Sequence, residues 1–491
     1  MSITHGGMKP PIERDYSYKW TVFTAIGISF VTQVLSQSMV FVALAAIADD
    51  FGVTLRAVSW VVVAQALTIS ALMMPAGRLA DIIGWRRVHL IGLVVFGGGA
   101  MCVALAPTFG LLIAARVLMA AGNSMGQSVG TAMVVSAFPP EERGKAIGSQ
   151  TTAVAIGGAS GPMVGGFVLQ VLPWEALFWM VLIPIAIAFA VGYFILTDER
   201  LGQAREAERP PFDWVGVSVS VVAIALLVVT INNPFALSWT SPLILGALVA
   251  VAVLFAGFVR WEMQHRAPMV QLRMFAERVF SLAVLARFLG FLGATVTQLM
   301  APIYLISLRG LDTAAAGGVL FLMFVGMGTS AQASGRLSDR FGPRRFTLLG
   351  FAIMVVTALV FAFLTNATPI WVIAVLLLIN GLGMGSWNVP NNAVIMGVVA
   401  PSRLGVVGAL SNLTRNVGNV VGQAVAAGVV VAVMASQGFD IPLSEVRETA
   451  GASAAFLDGW RAAYLLGALF LAIALACTFF TPSGLRRAGR H

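Results

Sequence analysis

Apolar residues run in long blocks along most of the chain, and polar residues gather in short clusters between them. A block of about 18 or more apolar residues is long enough to cross a bilayer as a helix. This pattern predicts fourteen membrane-spanning helices, near residues 20–47, 57–77, 88–106, 110–137, 145–170, 176–196, 214–231, 242–259, 279–307, 313–334, 346–365, 370–398, 404–435 and 461–481. Several exceed what a bilayer requires, which implies tilt or extension past the hydrocarbon. The first block is too long for a signal-peptide core and is expected to stay in the mature protein. The fold class is therefore an all-α membrane protein.

Composition agrees and closes other routes. Of 491 residues, 58% are hydrophobic and 10% charged, against about 25% charged in soluble domains. Cys102 and Cys477 both lie in apolar blocks, so neither a disulfide framework nor a CxxC metal site is available. The four histidines fall outside the blocks or at their ends, which leaves no cluster for a buried metal. With no HExxH pair, no GxSxG elbow and no carboxylate pair in a span, no enzyme and no cofactor is expected. The net charge of +9 marks orientation rather than a nucleic-acid partner, because 23 of the 30 Lys and Arg lie on one side, together with both termini. The positive-inside rule makes that side the cytoplasm of a cell membrane.

The strongest sequence signal is a repeat. The segment from Gly77 to Arg87, GRLADIIGWRR, returns as Gly335 to Arg345, GRLSDRFGPRR, with seven of eleven positions identical. Both copies sit in a short turn on the basic side, after the second and the tenth span. The chain therefore reads as an N-terminal six-helix bundle (1–196), a linker with two extra spans (197–278) and a C-terminal six-helix bundle (279–491).

The repeated turn resembles the signature of the major facilitator superfamily, G-x-L-A-D-x-x-G-x-R/K-R/K, carried here by Gly77, Asp81, Gly84, Arg86 and Arg87 and again by Gly335, Asp339, Gly342, Arg344 and Arg345. The resemblance implies two pseudo-symmetric bundles that rock between inward-open and outward-open states, the turns latching the cytoplasmic side. Glycines allow close helix approach, and the aspartates offer anions that a neighbouring helix N-terminus or arginine would hold. The fifth span adds Gly148, Gly157, Gly161, Pro162, Gly165 and Gly166, similar to the antiporter motif of drug:proton exporters. With fourteen spans, the chain resembles the fourteen-span drug:proton antiporter family.

Polar residues inside spans are costly, so their arrangement points to function. Span 1 carries Gln33 and Gln37; span 4 carries Arg116, Asn123 and Gln127 on one face; span 9 carries Arg287 and Gln298. Span 12 adds Trp387, Asn388, Asn391 and Asn392, and span 13 runs Asn412, Arg415, Asn416, Asn419 and Gln423 at helical spacing. Of these, Gln33, Gln37, Arg116, Asn123, Gln127, Arg287, Gln298, Asn388, Asn392, Arg415 and Asn416 are the candidate substrate cavity. Trp and Met are plentiful but scattered, and are expected to pack or face lipid.

The resemblance is incomplete where it matters for coupling. The family's first-span Asp-x-Thr-x-x-Asn-x-Ala-Leu-Pro pattern is replaced by Ser36 to Ala45, and none of the 21 Asp and Glu lies in the middle of a proposed span, Glu262 following span 8. Three intramembrane arginines against no mid-span acid favour neutral or anionic amphipathic substrates over lipophilic cations. The expected function is a secondary active exporter of small amphipathic compounds by alternating access. Protons are the candidate coupling ion, with Asp49, Asp50 or Asp81 as acceptors. A lipid or envelope-glycolipid flippase and a non-transporting sensor or scaffold are the alternatives. The expected partners are a small-molecule substrate and the bilayer, with the protein a monomer. Segment 197–213 reads as a linker and 266–278 as a short amphipathic helix on the inner leaflet.

Overall fold

A backbone in hydrocarbon has no water to bond, so each span must satisfy its own N–H and C=O groups, which the α-helix does. The computed structural model describes residues 18–197, 201, 212–233, 235, 237, 241–265, 268–399, 404–439, 449 and 451–481. Among these it has fourteen helices long and apolar enough to cross a membrane: α1 (Lys19–Phe51), α2 (Trp60–Ile83), α3 (Trp85–Ala104), α4 (Phe109–Ala137), α5 (Arg143–Val171), α6 (Ala176–Ile195) and α7 (Trp214–Asn232), then α8 (Pro242–Gln264), α9 (Arg278–Ile303), α10 (Thr313–Phe341), α11 (Pro343–Ala362), α12 (Ile370–Gly397), α13 (Leu404–Ser436) and α14 (Ala452–Phe479). No strand occurs among the described residues.

Local chemistry sets the helix ends. Thr108, Asp213, Ser241 and Asp312 accept first-turn N–H groups and start α4, α7, α8 and α10. The repeated turns are the sharpest breaks: one residue separates α2 from α3 and one separates α10 from α11. Those residues, Gly84 (φ 109°, ψ 136°) and Gly342 (φ 89°, ψ 143°), take nearly the same conformation, one that a side chain would strain. The face of the protein carrying them is called the turn side below, and the opposite face the far side.

Helices α1 to α6 pack chiefly on one another, with α1 on α5 and α3 on α4, and α9 to α14 do the same, with α10 and α11 on α12 and α9 on α13 and α14. Across these sets, α5 packs on α10 and α2 on α13. A hydrophobic cluster on the turn side joins both sets, bringing Ile26, Trp85 and Val134 together with Ala331, Val389 and Val407. Helices α7 and α8 pack on each other, and α7 also lies against α2 and α13.

Three expectations change. The last span begins at Ala452 rather than near 461, because Phe456 and Trp460 are buried beside Tyr304, Phe361 and Tyr464 and draw an extra two turns into the helix. The expected amphipathic helix at 266–278 is not formed: residues 266 and 267 lie outside the described residues, only Leu272–Ala276 makes a short 3-10 turn, and Met269 and Val270 are buried against α2 and α13 instead of lying on a leaflet. Glu262 does not follow the eighth span but belongs to it, buried, with its Oε2 accepting the Val270 N–H at 2.9 Å. His89 lies near the start of α3, as expected, and is buried. Residues 198–200 and 202–211 of the expected linker, residues 440–448 between α13 and α14, and both termini lie outside the described residues.

The α3–α4 contact is backbone on backbone. A Cβ on Gly122 would lie 2.5 Å from the Gly92 carbonyl oxygen and 2.8 Å from the Phe96 Cα, whereas one on Gly98 would meet nothing within 4 Å. Gly122→Leu is therefore expected to lower the thermal midpoint of the solubilised protein by the equivalent of about 1–3 kcal/mol, with Gly98→Leu close to wild type. Equal midpoints for the two variants would contradict this packing.

Candidate functional site

Each repeated turn delivers its aspartate to a helix of the other set. Asp339, near the end of α10, accepts the backbone N–H groups of Gly144 (2.8 Å) and Lys145 (2.9 Å) in the first turn of α5. Asp81, near the end of α2, accepts the Val406 N–H (3.1 Å) in the first turn of α13 and the indole N–H of Trp85 (2.8 Å). A carboxylate at a helix N-terminus meets both unsatisfied donors and the positive end of the dipole. Close approach depends on glycine: a Cβ on Gly77 would press on Ala409 (2.6 Å) and the Gly405 carbonyl (3.2 Å), and Gly335 lies against Gly144.

These clasps seal one end of a central cavity of about 330 Å³. Every hydrogen bond found between the two six-helix sets among the described residues lies on the turn side of the membrane middle, including Ser149 to Gln332, Thr152 to the Gly328 carbonyl and Asn412 to the Gln127 carbonyl. The lining follows the same gradient. Gln127 and Asn392, toward the turn side, are 5% and 7% exposed, whereas Phe41, farther along α1, is 58% exposed and Gln423 on α13 is also exposed. The cavity is thus closed on the turn side and opens toward the far side.

Among the described residues its lining includes Arg287 and Arg415 and no Asp or Glu. Arg287 is 2% exposed, donates to the Ser411 carbonyl (3.0 Å) and to Asn388 Oδ1 (2.8 Å), and its guanidinium lies 5.0 Å from the Phe291 ring centre. Arg415 donates to Gln127 Oε1 (2.9 Å) across the boundary between the sets. Neither has a carboxylate within ion-pair distance among the described residues.

Of the sequence-predicted residues, Gln37, Gln127, Arg287, Gln298, Asn388, Asn392, Arg415 and Asn416 come together on this lining. Gln33, Arg116 and Asn123 do not. Gln33 is buried against Gly126 between α1 and α4. Asn123 is fully buried one turn from Gln127, whose amide N–H it accepts at 3.0 Å. Arg116 is 1% exposed, bonded to the Gln65 side chain and the Val61 carbonyl, with Phe178 against its guanidinium. Shared helical spacing put these residues on one face of α4, but α2 and α6 cover the Arg116 end of that face. Sequence reasoning missed Thr131, Gln150 and Asn380, which also line the cavity. Asn380 was within reach, since it continues the Asn388 and Asn392 stripe at four-residue steps. Met323, Met327 and Met384 pack in the core, as expected of the methionines, and also border the cavity.

In the antiporter motif, Gly157, Gly161 and Gly165 seat α5 on α1, and Gly148 meets the Ala331 carbonyl of α10. A Cβ on Gly157 would lie 2.7 Å from the Val31 carbonyl, and one on Gly161 3.0 Å from the Leu35 carbonyl. Pro162 is exposed, and a Cβ on Gly166 would meet nothing within 4 Å. In the turns, Arg86 donates to the Tyr193 carbonyl at 2.7 Å and Arg344 to that of Phe479.

A family model described as Major Facilitator Superfamily matches residues 26–423 and 284–490. The riboflavin transporter RibZ of Clostridioides difficile is 28% identical over 407 residues, 83% of this chain and 87% of that protein. The tetracenomycin C resistance and export protein of Streptomyces glaucescens is 28% identical over 413 residues, 83% of this chain and 75% of that protein. The solved proton:xylose symporter XylE has the same fold, with a TM-score of 0.63 at 15% identity over 95% of this chain and 96% of that one. The chain belongs to the Major Facilitator Superfamily and is a multi-pass membrane transporter.

Proposed function

We propose that the protein exports small amphipathic compounds across the cell membrane by alternating access, with the turn side and both termini in the cytoplasm. The observation that carries this reading is the one-sided cavity: a polar and aromatic chamber at the boundary of two helix sets, held shut at one end by two equivalent contacts. Breaking the Asp81 and Asp339 contacts and closing the far side would turn the same chamber to the cytoplasm, as expected for a site at a repeat interface. Residues 1–196 and 279–491 are the rocking bundles, and 197–278 is an inserted linker and helix pair. Outward direction is supported by the seating of α5 on α1 through the antiporter glycines and by the relative whose name states export. The proton is the candidate coupling ion, and among the described residues no carboxylate in the lining competes with substrate for it.

Two measurements test this. In a background with Cys102 and Cys477 replaced by Ser, a cysteine at Ser149, which is 5% exposed on the turn side, is expected to react slowly with maleimide. Asp339→Asn removes a charged acceptor of two N–H groups and is expected to raise that rate about tenfold. An unchanged rate overturns the latch. Cells making the protein are expected to accumulate less of at least one compound from an amphipathic panel than cells making Gly161→Leu, and an uncoupler is expected to abolish the difference. Greater accumulation in the wild-type cells would reverse the assigned direction.

A further inference from the structure

The two cavity arginines are positive charges with no counter-ion among the described residues. Arg287 spends two of its donors on a backbone carbonyl and a neutral amide, and Arg415 spends one on another neutral amide. Neutral acceptors offset only part of the cost of holding a guanidinium away from water, and a carboxylate or sulfonate would offset far more through charge-assisted bonds. Beside them the same chamber offers an apolar surface formed by Phe291, Phe324, Met323, Met327 and Met384. A volume near 330 Å³ holds a compact organic acid with one or two rings. Charge, shape and apolar lining therefore select one class of ligand.

The partner of Arg415 adds a second element. Gln127 stands on α4 in the other helix set, and it is held in place: its amide N–H goes to Asn123 Oδ1 (3.0 Å), and its backbone carbonyl accepts from Asn412 (2.9 Å). Its Oε1 is thus directed at Arg415 while the turn side is closed.

We propose that Arg287 and Arg415 bind the headgroup of an organic anion, and that Gln127 competes with that anion for Arg415 so that closing the turn side hands the substrate outward. When the turn side opens, α13 parts from α4, the Arg415 to Gln127 bond breaks, and the freed guanidinium takes the anion together with Arg287. When it closes, Gln127 returns and withdraws one donor from the anion as the far side opens. This rests on the export reading for its direction, but not for its ligand class.

The test uses full-length purified protein and three probes with one apolar body: naphthaleneacetate, naphthaleneethanol and naphthylmethyltrimethylammonium. Naphthaleneacetate is expected to bind at least about tenfold more tightly than the quaternary ammonium probe, and Arg287→Gln and Arg415→Gln are each expected to weaken it about tenfold or more. Arg415→Lys keeps the charge and is expected to keep the preference for the anion. Gln127→Ala is expected to bind the anion more tightly while moving it more slowly in proteoliposomes, lowering KM and kcat together, which loss of a merely structural amide would not do. In binding, the proposal is overturned by equal or tighter binding of the ammonium probe, unchanged anion affinity in both glutamine variants, weaker anion binding by Gln127→Ala, or displacement of naphthaleneacetate by inorganic phosphate at equal concentration. Direction is read separately in oriented proteoliposomes. Selective anion binding with inward movement sinks the export reading alone, and outward movement of the ammonium probe alone sinks the anion site.

Discussion

Everything in this arrangement depends on a carboxylate meeting the start of a helix across the boundary between the two helix sets. In the proposed cycle the contact has to be strong enough to hold the turn side shut and weak enough to break. Backbone N–H groups at a helix N-terminus suit that range, because a charge-assisted bond there is worth about 1.5–3 kcal/mol and the donors can be rehydrated when the helices part. An ion pair sealed in hydrocarbon would be far harder to separate. The turn sequence supplies each requirement: glycine for close approach, aspartate for the anion, and a second glycine at positive φ that sends the next helix back across the membrane.

The two contacts differ in their surroundings. Asp339 accepts N–H groups from the start of α5, and Asp81 accepts from the start of α13 and from the Trp85 indole as well. The Asp81 contact also has additional cover. Helix α7 lies against both α2 and α13, and the chain after α8 tucks Met269 and Val270 into the cluster that contains Val406 and Ala409. The two helices that fall outside the repeat thus reinforce the Asp81 side, and parting α2 from α13 must disturb that apolar contact as well.

Much of this was legible in the sequence, and the reasons for the gaps are physical. The apolar blocks located all fourteen spans because the length a helix needs is fixed by the bilayer. The repeat located the turns and named the aspartates' chemistry, though not their partners, because Val406 and Gly144 contribute only backbone. Polar stripes found the cavity wherever a whole helix face lines it, as on α13. They failed for Arg116 and Gln33, since periodicity shows which residues share a face but not which neighbouring helix covers that face at each depth. Buried Glu262 was placed outside its helix because hydropathy falls at Arg260, while the structure continues the helix to let Trp261 and Glu262 bond Asp213 and Val270.

The three intramembrane arginines show how one chemistry serves different ends. A guanidinium in hydrocarbon must find acceptors or aromatic faces, and each of these does so. Arg116 finds Gln65, the Val61 carbonyl and Phe178, all within α1 to α6. Arg287 finds the Ser411 carbonyl, Asn388 and Phe291, all within α9 to α14. Partners within the same set do not tie either arginine across the boundary between the sets. Arg415 differs, because its amide partner belongs to the opposite set. Its solvation must change whenever the sets rock, and a differential interaction of that kind is what a ligand needs in order to bias a conformational equilibrium.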